Sequence, residues 1–386
     1  MHKRVRRRAE EGPHRIRVAQ AAGAGSRPAS RPAIMLFVGG VLAASVIAIM
    51  GAPARAQSLP PGFDGMVYTA DEAGHSISAI KLSSGKVASV PVSISPHNVE
   101  VSTDGTHLLA VGNAVVSGAA HGNEQKAHAS AAEGRLLVFK TSAMSAGPVA
   151  TLAVGIHPAH VIADGTDRAF IALSGEDAAA VIDLRGGAII RKLSVGRSPH
   201  GLRKSPDGSL ILVANVQDGS VSVIDVAKLA EIKRIPVGRA PVQVGFTPDS
   251  RRFYVSLRDE NRVAVVDLAA MASVERIDVG RGPIQVHATP DGRRIYVANQ
   301  GTAAEPDDTV SVIETATNKV IDTIRTETGA HGVAVSRDGR LVFVSNIAAG
   351  TVSVIDNVTR RVIRSVSVGR GPNGITFGPE PVAPTC

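Results

Sequence analysis

Seven times along this chain a short strand-like phrase recurs: SISAIKL at 76, RLLVFKT at 135, AAAVIDL at 178, SVSVIDV at 220, RVAVVDL at 262, TVSVIET at 309 and TVSVIDN at 351. A second anchor follows each copy, in SPHNV, HPAHV, SPHGL, APVQV, GPIQV, GAHGV and GPNGI. Pro96, Pro158, Pro199, Pro241, Pro283, Ala330 and Pro372 stand in register there, at spacings of 62, 41, 42, 42, 47 and 42 residues. A repeat of this kind constrains the fold more than composition does, because each unit must bury its apolar face against its neighbours. A period near 42 that holds four short alternating runs separated by turn signals describes one four-stranded blade of a β-propeller.

Within one unit, PVQVGFT reads as the inner strand, PDS as the turn, RRFYVSL as the second strand, RVAVVDL as the third and SVERIDV as the outer one. Period-2 alternation in VAVVD and SVSVID buries one face, and Asp-Gly in the PDG copies supplies tight-turn chemistry. Aromatics make up 3% of the chain and Trp is absent, so the core must be built mainly from Val, Ile, Leu and Ala. No long amphipathic helical pattern occurs. The last unit has an inner strand at 373–377 and then stops, whereas the first begins with MVYTADEAG, a second strand lacking an inner partner. We therefore expect an all-β, seven-bladed propeller over residues 65–381, with Met66 to Ala70 pairing beside Asn373 to Phe377 so that the ring closes without open edges.

Residues 1–56 carry a basic stretch, the uncharged apolar run Ile34 to Met50 and the small-residue site Ala54-Arg55-Ala56. This is the grammar of an export signal, cleaved before Gln57 or retained as an inner-membrane anchor, with 57–64 as a linker and 382–386 as a tail. The periplasm is the expected location, and residues 34–50 are the only expected contact with a membrane. Of the 42 Lys and Arg, 10 lie in residues 1–56, together with 2 of the 34 Asp and Glu, which leaves 32 of each sign for the rest. The formal charge of +8 thus belongs to the leader, and no nucleic-acid surface is expected. Cys386, the one cysteine, has no intramolecular partner.

The units TVSVID, VGRGP, VGRSP, SPDG and IYVAN resemble the YVTN-type β-propeller repeat found in bacterial exported proteins. The resemblance covers roughly residues 65 to 378 and implies the fold; for function it implies only a binding role, since sites are grafted onto folds. The lack of Trp excludes the Trp-Asp repeat signature and the tryptophan-docking motifs of quinone-cofactor propellers.

In a propeller, the loops that enter the inner strands surround one mouth of the central channel. Three residue sets converge there. The first is a histidine column: His97, His200, His331 and Asn373 directly follow the anchor, with His160 one place further on and His157 one place before Pro158. Neutral imidazole ligates metal or haem, and it titrates near neutrality. The competing reading is a set of turn histidines bonded to backbone and copied with the repeat. The second set is Arg197, Arg239, Arg281 and Arg370, two residues before the anchor, whose planar forks suit a phosphate or carboxylate but equally suit a nearby Asp or loop carbonyl. The third comprises the insertions AVVSGAAHGNEQKAHASAAEG, with His121 and His128, and GTAAEPDD at 301–308. Glu100, Arg203 and His287 occupy related positions further along their inner strands. Paired carboxylates and a GxSxG nucleophile elbow are missing, so hydrolase chemistry lacks support.

Taken together, these features predict an exported binding or scaffold module, non-enzymatic, that takes a small ligand or an envelope protein at its channel mouth. The first alternative is a metal- or haem-binding carrier or assembly protein using the rim histidines, similar to the haem propeller of periplasmic nitrite reductase but without its cytochrome domain. The second is a lactonase-like hydrolase. The face formed by the PDG turns is expected to be free of ligand.

Overall fold

The computed structural model describes residues 63–115, 133–165 and 167–381. These form seven antiparallel sheets of four strands each. Blade four shows the plan: Pro241–Phe246 innermost, then Arg252–Leu257, Arg262–Asp267 and Ala272–Asp278 at the outside. The other inner strands are Ile94–Val101, Pro158–Asp164, Pro199–Lys204, Pro283–Ala288, Ala330–Val335 and Pro372–Gly378. We number the blades in that chain order, so that Ile94–Val101 opens blade one and Pro372–Gly378 belongs to blade seven.

The recurrent polar letters hold the blades in shape. In the inner-strand turns, Ser205, Thr247, Thr289 and Ser336 donate to Asp207, Asp249, Asp291 and Asp338. Each of those carboxylates also accepts the backbone N–H two residues on, which pins the turn. At the far end of the second strand, Asn215, Asn299 and Asn346 donate across to a Ser or Thr pair on the third strand. The glycine of the VGR turns packs onto that amide, where a Cβ at Gly196 or Gly280 would lie within 2.5 Å of the Asn215 or Asn299 side chain.

Seven apolar clusters fill the seams between successive blades. In the seam of blades three and four, Leu212, Val221 and Val223 meet Val244, Phe253 and Val255, all fully buried. Without Trp, the bulk comes from second-strand aromatics such as Tyr68, Tyr254, Tyr296 and Phe343. Blade seven joins the two ends of the described chain. Pro372–Gly378 pairs antiparallel with Met66–Asp71, Val67 opposite Phe377 and Thr69 opposite Ile375, and Ser76–Lys81 and Lys86–Pro91 complete the sheet.

The insertion at 301–308 extends a hairpin, Arg294–Gly301 against Pro306–Glu314. His121 and His128 lie outside the described residues, as do the leader and residues 34–50. Among the described residues, no helix is long and apolar enough to cross a membrane.

Candidate metal centre at the channel mouth

Each inner strand loses register with its neighbour directly after the anchor. The break falls between Pro96 and Asn98, Pro158 and Val161, Pro199 and Leu202, Pro241 and Val244, Pro283 and Val286, and Ala330 and Val333. Such bulges release one or two residues from the ladder and re-aim their side chains. The released positions are those where blades one, two and three carry His97, His160 and His200. Gly201 permits the approach: a Cβ there would lie 2.5 Å from the Val242 carbonyl.

The three rings meet. His97 Nε2 lies 3.1 Å from His200 Nε2. Ring centroids are 5.2 Å apart for His97 and His200, 4.9 Å for His160 and His200, and 5.9 Å for His97 and His160. One nitrogen from each ring lies within 4.8 Å of the other two. Tetrahedral ligands about 2.05 Å from a zinc ion stand roughly 3.3 Å apart. The closest pair is therefore already at ligand spacing, and the third nitrogen has at most about 1.5 Å to close.

Protonation follows from the partners. Glu72, in the loop after the second strand of blade seven, accepts from His97 Nδ1 at 3.2 Å and from the Asn373 amide at 2.6 Å. Asn373 Nδ2 is also 3.1 Å from His97 Nδ1, but a lone pair on that nitrogen would face the carboxylate, so Nδ1 carries the proton and Nε2 is free to accept. Burial pushes the Glu72 carboxyl up; the bond and charge of His97, helped by Asn373 and His331, overcome this and bring it down to about 2. The pair has the form in which a carboxylate orients a ligating imidazole.

With His97 Nε2 as acceptor, His200 Nε2–H donates, leaving the buried Nδ1 of His200 without a hydrogen-bond partner. Binding an ion through Nε2 would move that proton to Nδ1, on the side of the Val242 carbonyl. The orphaned atom is thus one that ligation would satisfy. Burial, then the fields of His97 and His331, pushes His200 down to about 3. Burial and the neighbouring histidines hold His160 well below its ordinary value. Both are neutral ligands at pH 7, with no proton to release. His160 Nδ1 faces the Gln243 amide nitrogen at 3.3 Å, and Gln243 Oε1 is fixed by the Val244 N–H, so ligation through His160 Nε2 requires that amide to turn.

The other expected residues divide. His331 is buried and donates from Nδ1 to the Asn373 carbonyl; burial and then His97 push it down to about 4, so it supports the mouth through a backbone bond. His157 has φ 50° in the turn before blade two, where its carbonyl accepts from Ser174. The arginines act as loop clasps: Arg197 reaches Asp218 at 2.6 Å, while Arg239, Arg281 and Arg370 donate to the carbonyls of Asp259, Pro306 and Ala73. Sequence reasoning missed Glu72 and Gln243. Glu72 stands in the loop type that supplies Asp218 and Asp259 in other blades, which was its one legible signal.

Comparison with known proteins agrees on the fold. Residues 144–294 match the YNCE-like beta-propeller family and residues 249–375 match the cytochrome D1 heme domain. No curated protein sequence matches the chain. Similar structures include hydrazine synthase of Kuenenia stuttgartiensis, at 20% identity and TM-score 0.59, covering 74% of this chain and 90% of that one. A protein of unknown function from Desulfotomaculum acetoxidans has 14% identity and TM-score 0.66, with coverage of 82% and 100%. A provisionally assigned 6-phosphogluconolactonase of Bacteroides fragilis has 14% identity and TM-score 0.65, with coverage of 84% and 99%. The cytochrome D1 match spans His331 but leaves out His97, His160 and His200. Nor do those residues fit a haem: three rings 4.9 to 5.9 Å apart, turned toward one another, leave room for one ion and none for a flat macrocycle between them.

Proposed function

We propose that this chain, a β-propeller repeat protein of the YVTN type, is a binding module whose channel mouth holds a divalent transition-metal ion, zinc or copper, on His97, His160 and His200. The observation that carries the proposal is the convergence of three imidazole nitrogens within 4.8 Å from three successive blades. Imidazole suits both ions, and three protein ligands at a mouth leave a fourth position for water or for a group on a partner. When bound, the ion would supply a Lewis-acidic centre. The chain's own residues orient His97 through Glu72, keep His200 and His160 neutral, and hold the three strands in place by the bulges.

Binding and delivery are better supported than turnover, because among the described residues the carboxylate bonded to the three rings is Glu72, and it faces His97 Nδ1. The proposal also places the domain in the periplasm, on the export grammar of residues 1–56; cell fractionation tests that part separately. For the metal, full-length protein purified without chelator is assayed for metal content and titrated with Zn2+ and Cu2+ against a chromophoric competitor. The expected result is one ion per chain, with affinity reduced at least tenfold in His200→Ala, or about 1.4 kcal/mol. Equal affinity in wild type and His200→Ala would sink the proposal, and so would stoichiometric haem retained by His97→Ala.

A further inference from the structure

Four residues further along each inner strand from the anchor lies a second channel ring, made by Glu100, Arg203, His287 and Thr376. These positions are next to the inner-strand turns, the end of the channel expected to be free of ligand. They line a cavity of about 130 Å³, whose wall also includes Val333 and Phe377. A water molecule takes about 30 Å³ of liquid, so the space holds roughly four waters or one small organic acid.

Arg203 is the unusual member. Its side chain is 22% exposed and its one ion-pair contact among the described residues is Glu100, at a loose 3.9 Å. By contrast, every arginine at the opposite mouth has a hydrogen bond of 3.4 Å or less. Thr376 reaches Glu100 at 3.4 Å, and His287 Nδ1 faces the Ala288 carbonyl. A planar guanidinium fork facing a small polar cavity is under-used unless a second acceptor enters, and a carboxylate presents two oxygens at matching spacing.

We infer that this cavity binds a small monocarboxylate, of about the size of acetate, on Arg203, and that binding takes up one proton onto Glu100. The proton is required by charge. Two carboxylates cannot both sit ionised against one guanidinium in so small a space without strong repulsion. The groups facing Glu100 are Arg203 and Lys204 from blade three and Thr376 from blade seven, with His287 across the cavity; Lys204 is shared with Asp164. Burial raises the Glu100 carboxyl despite Arg203, which favours its taking up a proton when a second carboxylate enters, and burial followed by Arg203 pushes His287 down to about 4, so the positive charge lining the cavity at neutral pH comes from Arg203. The inference stands apart from the metal centre, since none of the three mouth histidines lines this cavity.

The test is calorimetric titration of the full chain with sodium acetate in two buffers of different ionisation enthalpy. The expected result is one saturable site per chain with uptake of close to one proton. Arg203→Gln should weaken binding at least tenfold. Glu100→Gln should bind acetate as well as the wild type or better, but without the proton. His97→Ala, which removes a proposed metal ligand, should leave acetate binding unchanged and so separates the two sites. No saturable binding by the wild type, equal binding by Arg203→Gln, or a loss in Glu100→Gln as large as in Arg203→Gln would each overturn the inference. The buffer comparison on the wild type alone decides the matter if Arg203→Gln does not fold.

Discussion

Replacing Glu72 with Gln tests whether the metal centre is built or accidental. The carboxylate accepts from His97 Nδ1 at 3.2 Å and from the Asn373 amide at 2.6 Å, one bond on each oxygen. A glutamine offers a single acceptor and places an NH2 where the second oxygen was. Either the His97 ring loses the partner that fixes its tautomer, or Asn373 faces another donor. Carboxylate partners of ligating histidines are worth about 10- to 100-fold in metal affinity, or roughly 1.4 to 2.7 kcal/mol. The Glu72 side chain is 37% exposed, so water screens its charge, and the lower end, about tenfold, is the expected loss. Competition titration with Zn2+ on wild type, Glu72→Gln and His97→Ala measures it, with melting temperatures recorded on the same samples. If Glu72→Gln binds zinc within twofold of the wild type but melts at a markedly lower temperature, the carboxylate is a loop anchor and the orienting role is refuted.

Val223→Ala empties part of the fully buried seam between blades three and four and should cost about 1 to 3 kcal/mol in denaturant unfolding while leaving zinc affinity unchanged. Acid should weaken the fold through the buried histidines. His200, His287 and His331 have folded values pushed down to about 3, 4 and 4, so between about pH 6.5 and 4 the unfolded chain binds more protons than the folded one. Stability is then fully present above pH 6.5 and falls as pH drops through that window, by at most about 1.4 kcal/mol per pH unit for each group; chemical denaturation at several pH values reads the slope, which Val223→Ala should preserve and His331→Ala should reduce. Ending the chain before residue 372 removes the inner strand of blade seven and bares edges on both sides of the gap. Calorimetry should show the single cooperative transition lost, whereas a monomeric remainder melting near the full-length temperature would contradict ring-wide coupling.

The fold was legible because its determinants are local and repeated. Alternation in SVSVID, the Asp of each PDG turn and the Asn of IYVAN act within one hairpin, so each copy states the blade again. The histidine column was legible as positions but not as a site. His97, His160 and His200 are 103 residues apart at the extremes, and the anchors are in register for His331 and Asn373 as well. The bulge after each anchor frees His331 as well, so what singles out three of them is the order of the blades around the ring, which brings three neighbouring rings together edge-on or tilted while His331 turns to a backbone carbonyl. Glu72 and Gln243 gave little sign for the same reason: they come from blade seven and blade four, joined to the histidines only through space. Arg203 and Glu100 share a register position in sequence, yet whether that register holds a salt bridge or a cavity depends on the channel's width. Sequence fixes period, pattern and turn chemistry because these need only neighbours in the chain, whereas a site at the centre of a ring is decided by closure, which brings together side chains that no local interaction links.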